Sequence, residues 1–225
     1  MTRSTVTTWD APETVKGFVR SPANHTLLQY AGRLRRADGP VHVLDIGCGA
    51  GRNAVPLACA GWHVVGTDNS GPMLSAAARR RASEDLHERV ELLHAEMDTL
   101  PVADRWADLV IAHGIWNLAA SGAQFRRAVR EAARAAKAGA GLFVFTFSRH
   151  TLPAHVRPVA GETFVFTEFA GEPQCFLTAD QLLDELRAAG FEPDGHVPLH
   201  ELNRSSAPLG VATGPVIWEG TFRRL

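Results

Sequence analysis

The residues with the clearest chemical promise lie in the run Val43-Leu44-Asp45-Ile46-Gly47-Cys48-Gly49-Ala50-Gly51. Three alternating glycines after an apolar stretch let the backbone turn tightly and let a ligand come close to it. A GxGxG match by itself is weak, because nicotinamide and flavin proteins carry a related motif with the third glycine placed later. The acid two residues before Gly47 sharpens the reading. A carboxylate at Asp45 would repel a pyrophosphate, and it suits a ligand with a cationic amino group. His113 stands just past another apolar run, and since histidine as a residue type can exchange protons near neutrality, it either takes a proton from a nucleophile or forms a plain wall. Cys48, Cys59 and Cys175 show no CxxC spacing and make an odd count, which points to reduced thiols and no metal site. Cys48 reads as a small filler, since nothing basic adjoins it in sequence.

These residues need elements to hold them. The chain reads as a polar lead-in, a helix over Asn24–Arg36 and a turn at Asp38-Gly39-Pro40. Strands are expected at Val41–Ile46, His63–Thr67, Val90–Ala95, Ala107–Ala112 and Leu142–Ser148. Helices alternate with them at Arg52–Ala60, Pro72–Ser83 and Gln124–Ala138. Beyond these, Thr163–Phe169 reads as an extra strand or hairpin, and Thr178 caps a helix over Ala179–Ala189. His196–Leu199 and Val216–Phe222 are the closing strands. The fold class is therefore α/β: a doubly wound, mainly parallel seven-stranded sheet with an antiparallel edge hairpin and helices on both faces. Residues 1–40 form an N-terminal helical lid, and residues 41–225 one Rossmann-like domain with a cap insertion at about 149–177.

With those residues in place, the stretch Val41–Ser148 resembles the class I S-adenosylmethionine-dependent methyltransferases through four ordered blocks. The first is Val43–Gly51. The second is Val64-Val65-Gly66-Thr67-Asp68-Asn69-Ser70, the third Ala95-Glu96-Met97-Asp98-Thr99-Leu100-Pro101, and the fourth runs from Ala107 to Asn117. The resemblance implies S-adenosyl-L-methionine as cofactor, with Gly47, Cys48, Gly49 and Asn53 around its methionine part and Asp45 orienting it. Asp68 would accept two hydrogen bonds from ribose hydroxyls, a task suited to a carboxylate. Asn69 and Met73 would lie along the adenosine edge. Glu96 or its rival Asp98, with Met97, would read the adenine. Ala112, His113 and Asn117 would stand where the transferable methyl points. Tyr30 would reach the methionine carboxylate from the lid or be an ordinary half-buried aromatic.

Composition narrows the partners. The formal charge is −1, from 23 basic and 24 acidic residues, and a nucleic-acid binder would show a basic excess. The run Arg79-Arg80-Arg81 reads as a solvated helix face. No segment has the length and apolarity of a membrane span, nor does Met1–Asp10 have the layout of a signal peptide, so the expected address is cytoplasmic. The oligomeric state stays open between monomer and homodimer.

The family's adenine and glutamine N-methyltransferases carry Asn/Asp-Pro-Pro-Tyr/Phe after the fourth strand, where this chain has His113-Gly114-Ile115-Trp116. The N-terminal extension of about 40 residues is short for the dimerisation domain of plant-type relatives. The implied activity is methyl transfer to a small-molecule acceptor of bacterial secondary metabolism. Alternatives are an RNA or protein acceptor, or cofactor binding without methyl transfer or for other chemistry. Substrate contacts are expected from Thr7–Tyr30, Arg149–Cys175 and His200–Ala207. The named candidates are Phe18, Trp116, Arg149, Glu168, His200, Asn203 and Arg204, with Trp116 equally a core residue. Phe164, Phe166 and Phe169 would cover the sheet edge or floor an apolar pocket.

Overall fold

The computed structural model describes residues 8–34, 41–169, 171–204 and 214–225. The expected helix end at Arg35–Arg36, the turn at Asp38-Gly39-Pro40, Thr7, and residues 205–207 of the expected cap lie outside them. The chain divides into two compact units, Met1–Pro101 and Val102–Leu225.

The N-terminal unit contains helices α1 (Pro12–Arg20) and α2 (His25–Leu34), then β1 (His42–Ile46), α3 (Ala54–Cys59), β2 (His63–Asp68), α4 (Gly71–Ser83) and β3 (Val90–His94). Its strands run in the order β3-β2-β1, all parallel, with Asp45 opposite Gly66 and Asp68 opposite His94. Val43, Leu44 and Ile46 are fully buried in succession, as expected for a parallel strand covered on both faces. Ser70 starts α4 by accepting the Met73 N–H at 3.3 Å. Helix α1 replaces what the sequence presented as a polar lead-in. Pro12 stands in its first turn, a position where the missing N–H costs nothing. Val15 and Phe18, three residues apart, lie with Trp9 against Ala50, Met73 and Ala76.

The C-terminal unit begins with β4 (Ala107–His113), a short turn Trp116–Leu118 and α5 (Gly122–Ala135). It continues through β5 (Ala136–Phe147), the two-stranded hairpin β6 (Val165–Phe166) and β7 (Gln174–Cys175), α6 (Ala179–Ala188), β8 (Phe191–Pro193), β9 (His200–Leu202) and β10 (Ile217–Arg224). Strand β5 is parallel to β4 and antiparallel to β10, and both β8 and β9 pair with β10. The edge of this unit is thus one strand position in two pieces, β8 and β9. The architecture is the mainly parallel, Rossmann-like α/β class with an antiparallel edge. No helix among the described residues is long and apolar enough to cross a membrane.

Three sequence expectations shift. The helix expected to reach Ala138 ends at Ala135, and β5 starts at Ala136, six residues before the expected Leu142. Alanine-rich sequence favours helix, but ladder pairing overrides it. Ala136 pairs with Ala107 and Gly141 with Leu109, so the residues between bulge out, with Gly139 at φ +76° and Lys137 held by Asp108 at 2.8 Å. The expected strand at His196–Leu199 is a loop between β8 and β9. There Pro198 has no N–H to pair, and the Val197 N–H donates to the Thr221 hydroxyl at 3.0 Å. The expected strand Thr163–Phe169 shortens to Val165–Phe166.

Helix α6 carries a full capping box: Thr178 accepts the Gln181 N–H at 3.2 Å, and Gln181 Oε1 accepts the Thr178 N–H at 3.0 Å. Thr178→Ala is expected to cost about 1 kcal/mol of stability, the usual worth of such a cap. Urea denaturation with an unchanged slope would measure it.

Candidate functional site

In the N-terminal unit the glycine loop follows β1 and is stitched to the end of β2. Gly49, at φ +53°, donates its N–H to Asp68 Oδ2 at 2.8 Å, while the Ser70 N–H donates to Asp68 Oδ1 at 2.8 Å. A side chain at Gly49 would be strained, and its Cβ would sit 3.4 Å from Phe18 Cδ1. The two bonds orient the carboxylate yet leave each oxygen another lone pair for a ligand hydroxyl. Burial raises the Asp68 pKa; the two N–H bonds and His94 oppose this and Asp10 adds to it, leaving it above the ordinary value.

Asp45 is 1% exposed, and its Oδ2 has no hydrogen-bond partner among the described residues. Burial pushes its carboxyl up to about 7, against the pull of Arg52 and with a push from Asp68. A buried acceptor without a donor is costly, and a cationic group supplied by a ligand would relieve it. Cys48 lies beneath β2, where a Cβ on Gly66 would come 2.9 Å from its sulfur. Burial first, then the charges of Asp45 and Asp68, drive its thiol well above the ordinary value. Cys48 is therefore a buried, inert filler rather than a thiolate nucleophile.

The flanks of the loop are equally defined. Asn53, 3% exposed, accepts the Asn24 N–H at 3.0 Å and so ties the start of α2 to the loop; Tyr30 on α2 is buried. Asn69 Nδ2 donates to Glu96 Oε2 at 3.2 Å, and the Asn69 carbonyl lies 2.9 Å from His94 Nε2. Glu96 is thereby joined to the residue after Asp68, whereas Asp98 is partly buried two residues farther on. Met73 and Met97 are buried. The sequence reading overlooked Trp9 and Asp10. Trp9 meets Phe18 edge to face at 5.8 Å, and Asp10 accepts the Ser70 hydroxyl at 2.7 Å. The spacing of Val15, Phe18 and Val19 was the available signal. Phe18, expected to touch substrate, packs over Gly49 at the glycine loop.

In the C-terminal unit, β4 ends with buried Ala112 and half-exposed His113. The His113 ring stacks on Phe145 at 4.1 Å and 10°, with Phe143 behind at 6.3 Å. Phe143, Phe145 and Phe147 alternate along β5 and form an aromatic row on one face. Phe145 and Phe147 are partly exposed, and Phe147 also meets Phe176 and Phe169, each at 5.2 Å.

Other candidates land elsewhere. Trp116 is wholly buried and packs edge-on against Phe125, so its side chain belongs to the core; buried Asn117 follows it. Arg149 donates to the carbonyls of Leu152, Pro153 and Val156 and covers the Phe166 ring at 4.9 Å, which engages its guanidinium in shaping a loop. Phe164 and Phe166 are buried, and Glu168 is exposed with the Thr167 N–H on its carboxylate at 3.0 Å. His200 lies 3.8 Å from Glu219, Asn203 donates to the Pro215 carbonyl, and Arg204 pairs with Glu201 at 2.8 Å.

A parallel α/β fold with a glycine turn after β1 and an oriented acid closing β2 defines a nucleoside-binding domain of the Rossmann-like class. Residues 43–139 match the family model described as a methyltransferase domain. The match spans under half of the chain and marks that segment as similar to the methyltransferase domains, for which the cofactor is S-adenosylmethionine. The orphaned Asp45 oxygen, the close-approach glycine loop and the doubly held Asp68 fit that cofactor's ammonium, methionine chain and ribose.

The chain is 34% identical over 122 residues to demethylmenaquinone methyltransferase of Lactiplantibacillus plantarum, covering 52% of this chain and 49% of that protein. It thus spans about half the length of that curated relative. Among solved structures, a SAM-dependent methyltransferase from Methanosarcina mazei superposes with a TM-score of 0.70 at 20% identity, over 91% of this chain and 99% of that one. The 1,6-didemethyltoxoflavin-N1-methyltransferase of Burkholderia thailandensis, solved with its substrate and S-adenosylhomocysteine, gives 0.66 at 19% identity, over 88% and 76%. At these identities the structural likenesses carry the fold.

Proposed function

We propose that the protein transfers a methyl group from S-adenosylmethionine to a small-molecule acceptor. The observation that carries this reading is the unpaired, buried Asp45 oxygen beneath a glycine loop whose Gly49 N–H is already fastened to Asp68. When bound, the cofactor supplies an electrophilic methyl on a sulfonium, so the chain's part is chiefly alignment.

In this reading Asp45 accepts from the ammonium and Asp68 from the ribose hydroxyls. Glu96 takes the adenine amino group in preference to Asp98, because its bond to Asn69 sets it beside Asp68. Trp9, Phe18 and α1 serve as the lid over the loop. His113, stacked flat on Phe145, is a wall for the acceptor, and the aromatic row of β5 gives a ring system an apolar face. The names of the Lactiplantibacillus and Burkholderia proteins, a demethylmenaquinone and a 1,6-didemethyltoxoflavin methyltransferase, support a small-molecule acceptor. The proposed address is the cytoplasm.

Calorimetric titration with S-adenosylmethionine, using NADH as control, tests the cofactor assignment. Binding of the former alone is expected. Binding of NADH alone would recast Asp68 as a dinucleotide ribose ligand and overturn the proposal.

A further inference from the structure

A polar cluster that the sequence did not reveal stands at the carboxyl end of β5. Ser148, fully buried, opens the short turn Arg149–Thr151 by accepting the His150 N–H at 3.1 Å. Its hydroxyl donates to Glu201 Oε1. His150 Nδ1 lies 2.6 Å from that same oxygen, and Arg204 Nη1 donates to Oε2 at 2.8 Å. The Glu201 side chain is only 6% exposed, whereas that of His150 is 49% exposed.

The arrangement has a direction. Burial raises the Glu201 pKa, but the bonds from Ser148 and His150 and the charges of His150 and Arg204 outweigh it, and the carboxyl lies below its ordinary value. An ionised carboxylate can only accept, so in the neutral ring Nδ1 carries the proton and the lone pair falls to Nε2 on the exposed side. A histidine oriented through one nitrogen by an acid is the usual form of a general base.

Location adds to this. In open α/β sheets, ligands bind beyond the carboxyl ends of the parallel strands. Both His113, at the end of β4, and Ser148–His150, just past β5, occupy such ends within one unit. Between them in β5 runs the partly exposed surface of Phe145 and Phe147, with Phe169 against the latter. A flat ring bearing an ionisable oxygen matches that combination.

We propose that His150, held through Nδ1 by Glu201, is the base that deprotonates a hydroxyarene acceptor; this rests on the methyltransferase reading above. The hydroxyl proton passes to Nε2, giving an imidazolium that returns it to solvent. The oxygen forms its bond to the methyl carbon as the carbon–sulfur bond breaks, with that electron pair remaining on sulfur. Glu201 acts as a positioning residue.

The first test needs no cofactor. 4-Nitrophenol titrated into the full chain near neutral pH should bind with an increase in the yellow nitrophenolate. His150→Asn, which keeps a donor for Glu201 but lacks Nε2, should bind it without that increase, and Glu201→Gln should show a reduced one. Equal anion fractions in wild type and His150→Asn, or no binding to wild type, would overturn the proposal. With S-adenosylmethionine added, His150→Asn should methylate unsubstituted phenol, which stays protonated near neutral pH, at least about 100-fold more slowly than wild type. Its turnover of thiophenol, which ionises unaided, should fall far less. Equal slowing for both acceptors would make His150 merely structural. If the cofactor does not bind in calorimetry, the methyltransferase reading fails, whereas the nitrophenol result judges His150 independently.

Discussion

Asp68→Ala is expected to weaken S-adenosylmethionine binding by about 2–4 kcal/mol, roughly 30- to 1,000-fold in Kd. The size follows from what one carboxylate does. Its two oxygens each take a backbone N–H at 2.8 Å, from Gly49 and from Ser70, and in the proposed role each would offer its remaining lone pair to the ribose. Alanine therefore removes two charge-assisted acceptors for the ligand and unfastens the glycine loop from β2. Asp68→Asn separates the two effects. It retains one acceptor oxygen, so it should hold one of the two N–H bonds and lose less affinity. Calorimetry on both variants measures the difference, with thermal denaturation reporting the loop. Unchanged affinity in the alanine variant would remove Asp68 from the ribose site.

Asp45→Asn is expected to make the ligand-free protein more stable at pH 8 while impairing cofactor binding. In the folded chain burial raises this carboxyl from its ordinary value of 3.8 to about 7. Between those values the folded state holds a proton that the unfolded state has released. Stability contributed by Asp45 is therefore full below pH 4 and falls as pH rises through the folded value. A neutral amide of the same shape has no such slope. The gain should be on the order of 2–4 kcal/mol at pH 8, from a shift of about three pKa units at 1.4 kcal/mol each, and near zero at pH 4. Urea denaturation of both proteins at the two pH values checks it. A variant no more stable than wild type at pH 8 would mean that Asp45 is not the strained acid described here. Saturating S-adenosylmethionine should narrow the gap, because its ammonium supplies wild type with the missing partner.

These two acids differ in how they could be read. That Asp68 closes the second strand and Asp45 precedes the glycines is local information, carried by residue order alone. The strand and helix alternation was legible for the same reason, since burial on both faces writes apolar runs such as Val43–Ile46, and caps such as Ser70 and Thr178 act within one turn. Helix α1 was also within reach through its apolar spacing, although charged neighbours such as Glu13, Lys16 and Arg20 hid it.

The sequence by itself determined the domain class, the glycine loop and the acids around it, because each depends on residues a few positions apart. Only the tertiary structure decided the rest. The strand over Ala136–Gly141 exists because β4 supplies a ladder that helix propensity could not anticipate. Arg149 faces loop carbonyls and Trp116 the core, outcomes set by neighbours remote in sequence. The raised pKa of Asp45 comes from burial, which no residue spacing encodes. His150 and Glu201 meet across 51 residues of chain. They meet because antiparallel pairing of β9 on β10, and of β10 on β5, carries Glu201 back to the turn after β5. Long-range pairing of that kind leaves no periodic mark on the sequence at either end.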